Sequence, residues 1–373
     1  MSKKHGRFEK AKPKKGKKAG LIIACIVLAL VIAVAVFGVV YYNSVLNKIN
    51  HVEVPKIDYS QLATEATEAA EEEPAEETTE ATTIPTTEPH VASSADYINF
   101  LVVGQAGRDG ETERFADSMI LFTVNTYEKT LTQTSLLRDS FVKPPNFRGH
   151  SFGRIKLTTV YHLGSFYSNG DIAGSMELMN LTLYNNFGIE VDHNFEIDFD
   201  VFVKAINALG GVRIELTEAE AKYLNKEYEN TLQEVTPGKN TLYGGAALAY
   251  ARMRKAEGDA DSDIVRTERQ RKLVEAVIKQ LKKLSASELQ NLIDEVLPMI
   301  TTSMTNTEIT DMLMTLVPML PELTIQKSGN CPANTKGDMV DIYSDGMLHS
   351  VLRFDQAETT KYMRAITEGE IYE

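Results

Sequence analysis

Tryptophan is absent and cysteine nearly so. The two cysteines, Cys25 and Cys331, stand far apart, the first inside an apolar run. An intrachain disulfide is not expected, so the fold must hold by packing alone. The seven histidines are scattered, without the spacing of a metal site. Also missing are a P-loop, a G-x-S-x-G elbow, an H-E-x-x-H helix and a C-x-x-C pair. Their absence argues against Walker-type nucleotide hydrolysis, elbow-type serine hydrolysis, zinc proteolysis of that kind and dithiol redox chemistry. The glycines from Gly104 to Gly110 follow neither the dinucleotide nor the kinase pattern, and there is no internal repeat.

Charge of one sign is missing from whole blocks. Residues 60–89 hold nine Glu and no Lys or Arg. The first eighteen residues hold nine Lys and Arg against Glu9, about +8. Of the total of -13, about -12 therefore falls from Asp96 onward. An acidic folded region argues against general nucleic-acid binding, which needs a positive surface to displace counterions. No nucleic-acid partner is expected.

What is present first is a long apolar run. Residues 21–40 are almost unbroken Leu, Ile, Val and Ala without charge. About twenty such residues span a bilayer core as a helix. A basic segment precedes the run and acidic sequence follows it, which places the N-terminus in the cytoplasm and the rest outside the membrane. A cleaved signal peptide is the rival. The run is long for one, and its A-x-A match, Ala33 to Ala35, lies inside the run rather than after it. The parse is then a basic cytoplasmic tail (1–20), a transmembrane helix (21–42), a disordered acidic stalk rich in Thr, Glu and Pro (43–95) and one extracellular domain (96–373). Between 60 and 94 there are few large apolar side chains to offset chain entropy.

The pattern changes at Asp96. Strands are expected over 97–103, 118–124, 130–137 and 212–216. Helices are expected over 174–187, 199–209, 242–251, 266–284, 287–300, 307–320 and 358–366. Gly210 and Gly211 provide a stop signal for the second helix. Strands alternating with helices make this an α/β layer fold.

Several Arg residues from separate elements stand where they could converge. Arg252 and Arg254 are two apart and would share a face if extended. Arg266, Arg269 and Gln270 fall on one face of a helix. Arg138 and Asp139 end a predicted strand, a common ligand position in α/β sheets. A positive cluster in an acidic domain suits a pyrophosphate whose P–O bond is breaking. The plain alternative is that each Arg is solvated or in a surface ion pair. The carboxylates in reach are Asp109, Asp117, Asp139, Asp192, Asp259, Asp261 and Asp263. One could hold Mg²⁺ with phosphate oxygens, and another could deprotonate an acceptor hydroxyl. Loops also carry Asp for turn chemistry alone.

Six blocks in order carry a resemblance. They are 99–104 (NFLVVG), 114–120 (RFADSMI), 135–139 (SLLRD), 208–212 (ALGGV), 249–254 (AYARMR) and 263–270 (DIVRTERQ). Together they resemble the LytR–CpsA–Psr family from about residue 99 to 284. The resemblance implies an α/β domain with a central mixed sheet flanked by helices and a greasy pocket for a polyprenyl chain. It implies transfer of a phosphate-linked glycopolymer, such as teichoic acid or capsule, from polyprenyl pyrophosphate to a peptidoglycan hydroxyl, assisted by Mg²⁺. By the family motif Arg138, Arg252, Arg254, Arg266 and Arg269 would cradle the pyrophosphate, and Gln270 would orient it. Asp117 would lie near the metal. Asp139 or Asp263 would support the Arg cluster or act as base.

One position departs from the family pattern. Where the family has Asp two residues after the first block's glycine, this chain has Ala106, while Arg108 is kept. Asp109 could replace the lost ligand from the same loop. Otherwise metal binding is weaker or activity is lost. Two other readings are a pyrophosphatase with water as acceptor, and a non-catalytic protein that binds the lipid carrier or the wall.

Overall fold

The computed structural model describes residues 46–62, 94–105, 114–227, 233–253, 256, 262–326, 329–333, 339–344 and 347–369. The basic tail, the apolar run and residues 63–93 of the expected stalk lie outside them. So do Ala106, Arg108, Asp109, Arg254, Asp259 and Asp261, and the side chain of Asp263. No helix among the described residues is long and apolar enough to cross a membrane. The chain divides into Met1–Lys48, described only over 46–48, and Ile49–Glu373. The second unit is built on one large sheet.

The strands of this unit are β1 (Asn50–His51), β2 (Tyr97–Gln105), β3 (Ala116–Asn125), β4 (Thr130–Leu136), β5 (Phe141–Val142), β6 (Ile155–Lys156), β7 (His193–Ile197), β8 (Val212–Leu216), β9 (Gly238–Leu242), β10 (Thr301–Thr302), β11 (Thr324–Ile325), β12 (Gly329–Cys331), β13 (Met339–Ser344) and β14 (Met347–Leu352). Its helices are α1 (Leu157–Phe166), α2 (Ile172–Phe187), α3 (Phe199–Ala208), α4 (Glu218–Glu227), α5 (Gly244–Arg252), α6 (Ser262–Leu281), α7 (Ala286–Val296), α8 (Asn306–Met319) and α9 (Gln356–Thr367). The main sheet runs β1-β10-β7-β2-β3-β4-β11, with β12 also on β4. It is mixed: β2 pairs antiparallel with β3 and parallel with β7, while β3 pairs antiparallel with β4.

Alternation along the strands decides the layers. Leu101, Val103, Met119 and Leu121 face a core closed by Val160 and Tyr161 of α1 and Met176, Met179 and Leu183 of α2. Phe100, Phe122 and Val124 face the opposite way, onto Val274 and Ile278 of α6 and Met312 and Leu316 of α8. Strands covered on both faces read as continuous apolar runs, as these do. Burial of each such side chain contributes about 2 kcal/mol. A third cluster joins α3, the antiparallel β8–β9 pair, α4, α5 and α6. The expected α/β architecture, a central mixed sheet flanked by helices, is what forms.

Two helices cross where neither has a side chain in the way. A Cβ on Gly164 of α1 would sit 2.3 Å from the Gly174 carbonyl oxygen of α2. α2 starts at Asp171, whose carboxylate accepts from the Ala173 amide, and stops at Gly188 with φ 68°.

The front of the expected stalk folds instead. β1 pairs with β10, and the Val52 amide donates to Thr302. Val52 and Val54 pack on the first core. The Tyr59 ring lies 4.9 Å from that of Tyr184. Alternating Val52 and Val54 give this short segment one apolar face, which the polar sequence after it hides.

Candidate functional site

Topology brings the relevant chain ends to one edge of the sheet. Gln105 at the carboxyl end of β2 lies opposite Ala116 at the amino end of β3. Gly104 pairs with Ile197 at the end of β7. The β3–β4 register pairs Ile120 with Ser135. Continued past the strand ends, that register sets Asp117 against Arg138. The two meet there, Arg138 Nη1 donating to Asp117 Oδ1 at 3.0 Å. Arg138 Nε also lies 3.6 Å from Asp139 Oδ2.

Lys156 completes this group, donating to Asp139 Oδ1 at 2.7 Å. It arrives by the β5–β6 hairpin and precedes the first residue of α1. A cation there opposes the helix dipole, and the Asp139 carboxylate offsets it. The first amides of α1 bind the chain itself, Leu157 to the Ser140 carbonyl and Thr158 to that of Arg138.

A second group hangs from α6. Ser118, beside Asp117, donates to Gln270 Oε1 at 3.0 Å. Gln270 Nε2 reaches the Ala251 carbonyl at 3.4 Å. The next residue, exposed Arg252, lies over the Phe199 ring at 4.6 Å. Arg266, one turn earlier on α6, is buried. Arg269 is 3% exposed. Its Nε donates to Glu220 Oε1 at 2.9 Å and its Nη1 to the Met253 carbonyl at 3.2 Å.

Arg138, Asp139 and Asp117 are thus in direct contact. Gln270 joins them through Ser118, Arg252 follows the Ala251 that Gln270 binds, and Arg269 on the same helix as Gln270 and Arg266 bonds Glu220 and Met253. The backbone of Asp263 lies in the first turn of α6. Arg108, Asp109 and Arg254 fall outside the described residues. Asp192 sits at the amino end of β7, accepting from the Asn99 amide at 2.7 Å, so it is apart from the cluster.

The extended reading of 252–254 needs correcting at its start. Arg252 is the last residue of α5, and the chain extends only at Met253. Ala246, Ala247, Ala249 and Tyr250 bury one side of that helix and carry it through to the arginine.

Beneath the site is a buried network absent from the expectations. Arg114 Nη1 donates to Glu196 Oε1 at 2.9 Å and to Gln105 Oε1 at 3.2 Å. The Tyr161 hydroxyl donates to Glu196 Oε2 at 2.7 Å. Burial first, and the Glu196 charge second, hold the Tyr161 phenol well above its ordinary range, so it stays a donor. The spacing of Leu157, Val160, Tyr161 and Gly164 carried the signal for α1. Nothing local signalled Lys156 or Glu196, and the T-x-x-E spacing of Thr217 and Glu220 signalled only the start of α4.

The described residues do not form a metal cage: no group of three or more His, Cys, Asp or Glu is placed to hold an ion. They fit Mg²⁺ only in its usual phosphate-bound manner, one carboxylate plus phosphate oxygens and water. Asp117, with its side chain 40% exposed, is the carboxylate open to that.

The LytR_cpsA_psr family model matches residues 57–345. The chain belongs to the LytR_cpsA_psr family. A polyisoprenyl-teichoic acid–peptidoglycan teichoic acid transferase, TagU of Halalkalibacterium halodurans, is 28% identical over 72% of this chain and 74% of its own. TagT of Bacillus subtilis, described likewise, is 32% identical over 51% of this chain and 55% of its own, so the match spans little more than half of that relative. The solved structure of TagT (YwtF) with bound octaprenyl pyrophosphate lipid superposes with a TM-score of 0.51. It is 21% identical and covers 76% of this chain and 94% of that one. At that identity the likeness shows a shared fold. Within this LytR_cpsA_psr member, Asp117 from β3, Arg138 and Asp139 after β4, and Gln270 from α6 meet at one end of the sheet, with Arg252 one residue beyond the Ala251 carbonyl that Gln270 binds.

Proposed function

We propose that this chain transfers a phosphate-linked glycopolymer from a polyprenyl pyrophosphate carrier to a hydroxyl of peptidoglycan. The observation that carries the reading is the cation cluster at one sheet end of an acidic domain. Arg138 and Lys156 meet Asp117 and Asp139 there, and the Ser118–Gln270 and Gln270–Ala251 bonds bring α6 and the residue before Arg252 to the same edge. Relatives named as teichoic acid transferases, and a family structure holding octaprenyl pyrophosphate, support the choice of substrates.

In this reading the acceptor oxygen attacks the glycan-bearing phosphorus. The bond from that phosphorus to the bridging oxygen breaks, and polyprenyl phosphate leaves. Arg138 and Arg252 hold the phosphate oxygens as charge shifts to the leaving group. Arg138 is preset for this, braced between Asp117 and Asp139 at a cost met in folding rather than during reaction. Asp139 or Asp263 takes the acceptor proton. A bound Mg²⁺ at Asp117 would neutralise further phosphate charge. The apolar run 21–42 and its basic tail would anchor the enzyme, with residues from 43 onward outside the membrane.

The test incubates the purified full chain with a polyprenyl-pyrophosphate glycan, peptidoglycan oligomers and Mg²⁺, alongside Arg252→Ala. Glycan on peptidoglycan, lost in the variant, is the expected result. Phosphate release without attachment would replace the transferase by a hydrolase, and binding without turnover by a carrier-binding protein.

A further inference from the structure

The exposed side of α6 forms one wall of a groove of about 770 Å³, and residues 323–326, which include β11, form the other. Its floor is apolar: Ile278, Leu323 and Ile325. Its rim carries Lys272, Lys279 and Lys282 against Glu268 and Glu275, and buried Arg271 closes its inner end. Positions 271, 275, 278, 279 and 282 repeat at helical spacing and share one face. From Arg271 to Lys282 the helix rises about 16 Å.

The inner end of the groove lies along β4, the strand that leads to Arg138. Arg271 follows Gln270, which binds Ser118. Arg271 Nη1 also donates to Ser135 Oγ at 2.9 Å and to Asn330 Oδ1 at 2.5 Å, tying the groove's inner end to β4 and β12. Lys282 Nζ donates to the Leu323 carbonyl at 2.5 Å and spans the outer end. Lys272 and Lys279 are exposed. The Lys279–Glu275 pair at 3.3 Å is exposed too, and such pairs exchange partners at little cost. An acidic protein repels a polyanion over most of its surface, so a cationic lane confines it to one path.

We propose that this groove guides the anionic part of the donor, a phosphodiester-bearing polymer lying along the exposed Lys272, Lys279 and Lys282, with the polyanion's identity taken from the transferase reading. The full chain in detergent is compared with the Lys272→Glu/Lys279→Glu/Lys282→Glu variant. Two donors are used, one carrying phosphodiester repeats and one cut back to an uncharged linkage saccharide. The expected result is a KM raised about tenfold for the long donor. Its kcat and all constants for the short donor should stay unchanged, and added salt should erase the difference. Equal changes for both donors, or none for either, overturn the proposal. If neither donor is turned over by the unaltered protein, the transferase reading fails separately. The groove is then read by fluorescent poly(glycerol phosphate) at low salt: binding weakened about tenfold in the variant supports it, and equal binding overturns it. Should the triple variant unfold, Lys272→Glu alone takes its place, with a smaller shift of the same kind expected and no shift overturning the lane.

Discussion

Replacing Glu220 should unsettle the site from a distance. Its carboxylate does two things at once. Oε2 accepts from the Thr217 amide at 2.9 Å, while the Glu220 amide donates to Thr217 Oγ1 at 3.2 Å, closing a capping box on α4. Oε1 accepts from Arg269 Nε at 2.9 Å. Both carboxylate oxygens thus face donors. Glu220→Gln cannot satisfy both, because its amide nitrogen would meet one donor with another. The side chains are 7% and 3% exposed, so solvent screens the pair little. Removing one partner of a buried pair costs about 3–5 kcal/mol. Glu220→Ala should cost that much, and Glu220→Gln about 2–3 kcal/mol through one lost charge-assisted bond. At about 2 °C per kcal/mol in a domain this size, the melting midpoint should fall by roughly 6–10 °C for the alanine variant. Thermal unfolding by circular dichroism reads this directly. Paired replacement, Glu220→Leu with Arg269→Met, should return most of the stability. Transfer activity returning with it would show that Arg269 serves the fold alone and touches no phosphate. Activity staying lost in the stable double variant would make Arg269 a phosphate ligand. A Glu220→Gln midpoint equal to the parent's would refute the reasoning.

Three further outcomes are expected. Tyr161→Phe removes the buried donor to Glu196 and should cost about 1–3 kcal/mol, measured by denaturant unfolding, and an unchanged midpoint would count against the network. Burial holds the His193 imidazole below its usual 6.5. Its contribution to stability is therefore complete above pH 6.5 and is lost as pH falls through the depressed folded value. His193→Gln should flatten stability on that acid side, and an unaltered slope in pH-dependent melting would exclude the effect. Phe199→Leu keeps an apolar contact but removes the ring under Arg252. It should raise the donor KM about threefold to thirtyfold with stability little changed, and equal KM values would detach Phe199 from the site.

Much of this fold was legible because its central strands are buried on both faces. Runs such as 118–124 contain little but apolar residues, and nothing else suits them. Helices 174–187 and 199–209 were legible from their spacing and from the terminal glycines. α1 was not read, since Thr158, Thr159, Val160 and Tyr161 favour strands locally and mask the helical spacing of Leu157, Val160, Tyr161 and Gly164. β7 was hidden by its polar letters. His193 and Glu196 are tolerated in a central strand because each side chain has a tertiary role: stacking on Phe100, and holding Arg114 with Tyr161. At the site, Arg138, Asp117 and Asp139 were found by motif, and strand register explains their meeting. Lys156 and Glu220 were not, because a hairpin and a remote helix deliver them. The turn from helix to extended chain at Arg252 was likewise set by burial of Ala246, Ala247, Ala249 and Tyr250.

The most direct measurement tracks both products of one turnover. Full-length protein in excess over a doubly labelled donor, with peptidoglycan oligomers present, is sampled for polyprenyl phosphate and for glycan on peptidoglycan. Equal amounts of the two, rising together and abolished by Arg138→Ala, are predicted. Polyprenyl phosphate accumulating while no glycan reaches peptidoglycan would contradict the account.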